Sequence, residues 1–105
     1  MNVTEMLERI EKLPSEWRHP DAEPIWHILR EQAIDQDEID LACMAVRDLH
    51  LRRISEMLSR RGVLIHRDEN GRWGDDIALN VEVWEPTYAL ALLSAAEAVV
   101  KEGGG

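Results

Sequence analysis

Hydrophobic residues recur at spacings of three and four in the first part of the chain, which is typical of amphipathic helices. Asn2 stands where it can cap the first such helix, with Glu5 three residues on as in a capping box. Pro14 ends the helix, because its ring cannot continue the hydrogen-bond ladder. The apolar stripe of this helix is Val3, Met6, Leu7, Ile10 and Leu13.

A second helix is predicted from about Pro24 to Ala33, since proline is tolerated in a first helical turn. Asp35 and Glu38 again have capping-box spacing, and they predict the start of a third helix. The apolar stripe of the second helix is Ile25, Ile28, Leu29 and Ala33.

The third helix is predicted to be the longest, over about residues 36–61. Its stretch 41–46 is apolar nearly all round, so we expect that stretch to be the buried middle of the domain. Gly62 predicts a left-handed C-cap, preceded by Arg60 and Arg61, whose charges favour a helix C-terminus.

After Gly62 the spacing of hydrophobic residues changes to every second position. Residues 63–67 read as a strand, Asn70-Gly71 is a strong hairpin signal, and Arg72-Trp73 continues as the return strand. A third strand is predicted over 77–84, where Ile77, Leu79, Val81 and Val83 recur at every second position. A last helix is predicted to start at Pro86 and to run to about Lys101.

This order predicts an α+β fold, with three N-terminal helices, a three-stranded antiparallel meander over about 63–84 and a C-terminal helix. We expect the helices to pack on one face of the sheet. A length of 105 residues fits one domain, which we place at 1–102. The glycines at 103–105 are expected to form a flexible tail.

Composition limits the function. The chain has 21 acidic and 12 basic residues and a formal net charge of −9, which disfavours a general nucleic-acid or anionic-membrane binder. Cys43 is the only cysteine, so no internal disulfide can form, and it reads as a small core residue. No signal peptide or membrane-spanning run is apparent, which predicts a cytoplasmic protein without membrane contact.

Sequence motifs that would indicate metal binding or catalysis are weak. The four histidines lack the spacing of zinc sites, and no cysteine pair accompanies them. Asp75 and Asp76 are adjacent, so on a strand they would point to opposite faces and make a poor carboxylate pair. We therefore expect no enzyme activity, no catalytic residue, no metal and no cofactor.

The acidic residues instead predict a protein-interaction module, whose partner has a basic surface. Homodimerisation is also compatible with the sequence. In size, acidity and lack of enzyme motifs the chain is similar to small phage or mobile-element inhibitors, anti-CRISPR proteins among them. That resemblance implies a cytoplasmic inhibitor occupying a basic surface of a host nucleic-acid-handling complex. The predicted partner-binding residues are Asp35, Asp37, Glu38, Asp68, Glu69, Asp75, Asp76, Trp17 and Trp73.

An alternative comes from residues 46–61, where five arginines stand against Asp48 and Glu56. A basic helix followed by a hairpin resembles the recognition helix and wing of winged-helix DNA-binding proteins. The resemblance covers about 30 residues, the helix at 46–61 and the hairpin at 63–73, and the helix shows no break of the kind a helix-turn-helix needs. The predicted DNA-binding residues of this alternative are Arg52, Arg53, Arg60, Arg67 and Arg72.

The DNA-binding alternative predicts salt-sensitive binding to duplex DNA. Arg52→Ala and Arg53→Ala should weaken that binding, because each removes a charge that would release counterions from the duplex. Retention on a heparin or DNA column at about 50 mM salt measures the effect. A wild-type chain that passes through both columns unretained contradicts direct DNA binding.

Overall fold

A computed structural model describes residues 2–75 and 83–104 of the chain. Over these residues the protein forms four α-helices and a three-stranded antiparallel sheet, which confirms the α+β class. The helices are α1 (Val3–Glu11), α2 (Ala22–Gln32), α3 (Gln36–Arg60) and α4 (Tyr88–Val99). The strands are β1 (His66–Arg67), β2 (Trp73–Asp75) and β3 (Val83–Glu85), in the order β1-β2-β3. A 3₁₀ turn covers Ser15–Trp17, and a π-helical turn covers Val100–Gly104.

Each helix within the described residues is too short or too polar to cross a bilayer.

The chain divides into two compact units, Met1–Arg53 and Ile54–Gly105. The extents of 1–102 for one domain and of 103–105 for a tail stay predictions. In the first unit the buried apolar side chains are Met6, Ile10, Leu13, Trp17, Ala22, Ala42, Val46 and Leu51. In the second unit they are Ile54, Met57, Leu58, Val63, Val83, Ala91, Leu92, Leu93, Ala95 and Ala96.

The N-terminal caps of α1 and α3 form as predicted. Asn2 Oδ1 accepts a hydrogen bond from the backbone N–H of Glu5 at 2.8 Å, and Asp35 Oδ1 accepts one from Glu38 N–H at 3.0 Å. The Glu38 carboxylate reaches back to the N–H of Ile34, one residue before the position that a capping box uses. Such caps are worth about 1 kcal/mol each, because they satisfy donors that the helix leaves unpaired.

The C-terminus of α3 closes on Gly62, whose φ of 77° lies in the left-handed region. Val63 N–H donates to Leu58 O at 2.9 Å, and Gly62 N–H donates to Ser59 O at 3.0 Å. These two bonds form a Schellman motif, which confirms the predicted cap.

Helix α4 begins later than predicted. Its N-cap is Thr87, whose hydroxyl accepts a hydrogen bond from Leu90 N–H at 3.2 Å, and Pro86 lies before the helix. A proline side chain cannot accept a hydrogen bond, so the adjacent threonine takes the cap position.

The predicted hairpin is present, with a longer turn than a two-residue Asn-Gly loop. Asp68 N–H donates to Arg72 O at 2.8 Å, and Gly71 N–H donates to Asp68 O at 3.2 Å. Gly71 has a φ of 79°, and in the described chain only glycines have a positive φ. The loop therefore has three residues with glycine in the left-handed position, a common hairpin connection.

The strands are shorter than predicted. Strand β1 covers only the last two residues of the 63–67 prediction. Most of the strand predicted over 77–84 lies outside the described residues, and β3 covers its last two residues and continues to Glu85. Helix α4 packs against β2 and β3, and Ser94 Oγ donates to Glu85 Oε1 at 2.9 Å.

Gly74 lies where β2 comes closest to β3. A Cβ at this position would lie 1.5 Å from Val83 O, a backbone atom that cannot move without displacing the strand. Gly74→Ala should therefore destabilise the protein by more than about 2 kcal/mol, measured as the free energy of unfolding in urea.

A matched glycine variant is Gly62→Ala, where no atom lies within 4 Å of the added Cβ. Its cost comes only from the left-handed backbone and should be about 1 kcal/mol. Equal stability losses in the two variants would contradict the close approach of β2 and β3.

Candidate functional site

Predicted partner residues on α3 and its N-cap lie on the surface. Asp35, Asp37 and Glu38 are exposed, as are the neighbouring acids Glu31 and Asp40. Large apolar side chains lie among them in the sequence and are also open to solvent. Their exposed fractions are 55% for Ile28, 89% for Ile34, 63% for Leu41 and 41% for Met44.

A groove of about 340 Å³ lies between the C-terminal half of α2 and the N-terminal half of α3. It is lined by Leu29, Gln32, Ala33, Glu38, Leu41, Ala42 and Ala45. Helical spacing places Met44 beside Leu41 and Ile28 beside Gln32, because residues three or four apart are neighbours on a helix surface. We call this groove, with Ile28, Ile34, Met44 and the five acids Glu31, Asp35, Asp37, Glu38 and Asp40, the acidic–apolar face.

The exposure of Leu41 and Met44 corrects a prediction. The stretch 41–46 was expected to be buried because it is apolar nearly all round, yet only Ala42 and Val46 are buried. Ile28 of the α2 stripe is likewise exposed. Contiguous exposed apolar side chains are uncommon on monomeric proteins and usually mark an interaction surface.

In the second predicted acidic cluster, the described residues Asp68 and Asp75 are bonded within the protein. Asp68 Oδ1 accepts hydrogen bonds from Asn70 N–H at 2.9 Å and Arg72 N–H at 2.8 Å, and Oδ2 pairs with the Arg72 guanidinium at 3.1 Å. Desolvation alone would raise the pKa of Asp68, but these hydrogen bonds and the arginine charge outweigh it and lower the pKa.

Asp75, predicted to meet a partner, is instead buried at 4% exposure. Its Oδ2 accepts a hydrogen bond from Leu64 N–H at 3.2 Å, so the carboxylate holds the chain before β1. Glu69 is exposed, and Asp76 lies outside the described residues.

The two tryptophans proposed as surface anchors have different environments. Trp17 is 0% exposed, so its ring cannot contact a partner, and this corrects the prediction. Trp73 is half-buried, with its ring edge-to-face against Tyr88 at 5.4 Å and the Arg67 guanidinium 6.0 Å from its centroid.

Some of the predicted DNA-binding arginines contact other groups of the protein. Arg53 Nε donates to Glu16 O at 2.9 Å, and Arg72 lies 5.9 Å from the Trp84 ring as well as pairing with Asp68. Arg52 and Arg60 are exposed. Helix α3 runs from Gln36 to Arg60 without a break, so the described chain lacks the turn of a helix-turn-helix before Arg52.

A larger cavity of about 930 Å³ lies in the first compact unit, and sequence reasoning did not find it. Its walls come from α1, the segment 15–20, α2 and the middle of α3. The lining residues are Thr4, Leu7, Glu8, Glu11, Ser15, Arg18, His19, Pro20, Glu23, Trp26, His27, Cys43, Val46 and His50. The residues come from four separated segments, so no local sequence pattern could indicate it.

Two of the cavity histidines are linked by a hydrogen bond from the backbone N–H of one to the ring of the other. His50 Nδ1 accepts a hydrogen bond from His19 N–H at 3.1 Å, and His19 Nδ1 accepts one from Asp21 N–H at 3.1 Å. Burial, followed by the positive charges of Arg18 and His19, lowers the pKa of His50. Because Nδ1 accepts the hydrogen bond, the neutral His50 ring carries its proton on Nε2.

The cavity does not have the arrangement of a metal or nucleophile site. His27 Nε2 lies 3.8 Å from Glu23 Oε1, and both side chains are exposed. In the part of the chain that the structure describes, no three metal-ligating side chains converge. Burial and the nearby Asp40 carboxylate raise the pKa of the Cys43 thiol, which disfavours the reactive thiolate.

Comparisons of the chain with protein-family models, with curated proteins and with solved structures found no match.

The His19–His50 hydrogen bond predicts how stability depends on pH. The folded-state pKa of His50 is lowered, so below the unfolded value of about 6.5 the unfolded state binds a proton that the folded state does not. The contribution of His50 to the free energy of unfolding should therefore be fully present above about pH 7 and should fall as pH drops below 6.5 toward the folded pKa. Urea unfolding at several pH values measures the effect.

His50→Asn provides the comparison, because asparagine Oδ1 takes the place of Nδ1 as the acceptor for His19 N–H but does not titrate. The stability lost by wild type between pH 7.5 and 5.5 should shrink in His50→Asn, and it should shrink more there than in the exposed control variant His27→Asn. An unchanged pH dependence in His50→Asn would refute the assignment.

Proposed function

We propose that the protein is a non-enzymatic protein-interaction module, and that the acidic–apolar face binds an amphipathic helix with lysine or arginine beside its apolar stripe. The observation that carries the proposal is the exposure of Ile28, Ile34, Leu41 and Met44 next to exposed acids. Most large apolar side chains of a domain this size are buried, so a cluster in solvent has a free-energy cost that a partner would remove.

The shape and charge of the face favour a helix as the partner. A groove between two helices accepts the side chains of an apolar stripe at spacings of three and four. The α2–α3 segment carries five exposed carboxylates, Glu31, Asp35, Asp37, Glu38 and Asp40, of which Glu38 lines the groove. Negative charge beside the groove accelerates association with a basic segment and disfavours an acidic one.

Charge also argues for a different protein as the partner rather than a second copy. Each copy carries a formal net charge of −9, so two acidic–apolar faces brought together would repel each other. A basic partner neutralises the same acids. The apolar side chains then supply affinity, and the acids supply orientation and choice of partner.

A more specific form of the proposal is inhibition. If the bound helix belongs to the basic surface of a nucleic-acid-handling complex, the carboxylates take the place of phosphate charges and exclude the nucleic acid. The overall acidity and the positions of Asp35, Asp37 and Glu38 support this form. Competition between the protein and nucleic acid for one complex distinguishes an inhibitor from an accessory subunit.

Binding to a designed 18-residue peptide of leucine and lysine, with leucine at helical spacing, tests the face. The matching leucine–glutamate peptide should bind at least tenfold more weakly. Leu41→Ser and Met44→Ser should each weaken binding about tenfold, or about 1.4 kcal/mol, because each removes an apolar contact. Asp37→Asn with Asp40→Asn should weaken binding mainly at low salt. Fluorescence anisotropy at 50 and 500 mM salt measures each affinity.

Leu64→Ser is the matched apolar control, since Leu64 is 66% exposed and lies in the second compact unit. Glu69→Gln is the charge control on the hairpin. Neither control should change the affinity. Equal weakening by Leu64→Ser and Leu41→Ser would contradict the proposed face. A wild-type dimer in sedimentation that Leu41→Ser dissociates would replace the proposal with self-association.

A further inference from the structure

The cavity of the first unit shares no lining residue with the groove of the acidic–apolar face. Its volume, about 930 Å³, is at the upper end of the range typical of small-ligand sites. Apolar side chains make up one part of its wall, namely Leu7, Pro20, Trp26 and Val46. A site of this kind usually holds an apolar ligand body and fixes it through a few polar groups.

Arg18 is the first of those polar groups. Its Nε is buried and has no hydrogen-bond partner among the residues that the structure describes. Because Nε is closed off from solvent, a ligand in the cavity would meet the terminal guanidinium nitrogens of Arg18. A carboxylate is the acceptor that best matches a guanidinium, because it takes two parallel N–H···O bonds.

Three carboxylates form the second polar group. Glu8 and Glu11 of α1 and Glu23 of α2 line the cavity and are exposed, so they stand at its solvent side. A ligand with only negative charge would be repelled by them. A ligand that also carries an ammonium group would be attracted.

We propose that this cavity binds a short apolar peptide with free termini, its carboxylate on Arg18 and its ammonium beside Glu8, Glu11 and Glu23. The apolar side chains of such a peptide lie against Leu7, Trp26 and Val46. The site holds a small zwitterion, and its occupation does not require a partner on the acidic–apolar face.

His50 reports on the bound carboxylate. The charged or titratable side chains that share the cavity with it are Glu8, Glu11, Arg18, His19, Glu23, His27 and Cys43. A carboxylate bound to Arg18 offsets the positive charge that disfavours protonation of His50, so binding should raise the His50 titration midpoint. Proton NMR of the histidine rings follows that midpoint with and without peptide.

The test uses one tripeptide sequence, Leu-Ala-Leu, in three forms, with binding measured by calorimetry at pH 7.5. The form with free termini should bind at least tenfold more tightly than either the C-terminal amide or the N-acetylated form. The amide lacks the carboxylate for Arg18, and the acetylated form lacks the ammonium for the glutamates. Equal binding of all three forms, or no binding of any at millimolar concentration, overturns the proposal.

Variants of the protein test the contacts of the two ends of the ligand separately. Arg18→Gln should weaken the free tripeptide about tenfold and leave the amide unchanged. Glu8→Gln with Glu11→Gln should weaken the free tripeptide and leave the acetylated form unchanged. Glu31→Gln, an exposed acid of α2 outside the cavity, is the matched control and should change nothing.

Arg18→Gln carries a risk of unfolding, so circular dichroism accompanies each measurement. If that variant unfolds, the comparison of the free and amidated tripeptides on wild type decides the same point. An unaltered His50 midpoint when the free tripeptide is bound also contradicts the placement of its carboxylate. Leu41→Ser should leave tripeptide binding intact, which distinguishes this site from the acidic–apolar face.

Discussion

The complete burial of Trp17 is the constraint on which the first compact unit depends. Its indole is the largest of the fully buried side chains and lies in the short 3₁₀ turn that follows α1. Truncating a buried tryptophan typically costs about 3–5 kcal/mol. That burial holds residues 15–19 in place, and two hydrogen bonds to α3 complete the attachment, from His19 N–H to His50 and from Arg53 to Glu16 O. Arg18 and His19 line the cavity because their neighbour is fixed in this way.

Local chemistry accounts for what could be predicted from the sequence. The caps at Asn2, Asp35 and Gly62 depend on residues within four positions of one another, so spacing alone was sufficient. The hairpin was also predictable from Asn70-Gly71. Its turn type was not, because Asp68 stabilises a three-residue loop by accepting two backbone N–H groups. Helix α4 begins after Thr87 rather than at Pro86, because the threonine hydroxyl can accept the capping hydrogen bond and proline has no such acceptor.

The burial of individual side chains and the convergence of residues distant in the sequence were harder to predict. Periodicity identifies the apolar side of a helix but does not say whether another element covers it, so the exposure of Leu41 and Met44 was missed. Trp17 was placed on the surface because it lies between prolines in a loop. The cavity brings together residues as distant in the sequence as Thr4 and His50, and nothing in either neighbourhood indicates the other. The acids at the start of α3 are exposed, because first turns of helices are solvated and favour carboxylates, and their role in partner binding stays a prediction.

The carboxylates of the α2–α3 segment also bear on how copies of the chain meet. An exposed apolar surface favours contact between copies, whereas like charges hold copies apart over about a Debye length, roughly 10 Å at 0.1 M salt. Concentrated salt shortens that distance to about 3 Å, so that Ile34 and Leu41 can meet their equivalents on another molecule. We therefore expect association between copies to increase with ionic strength.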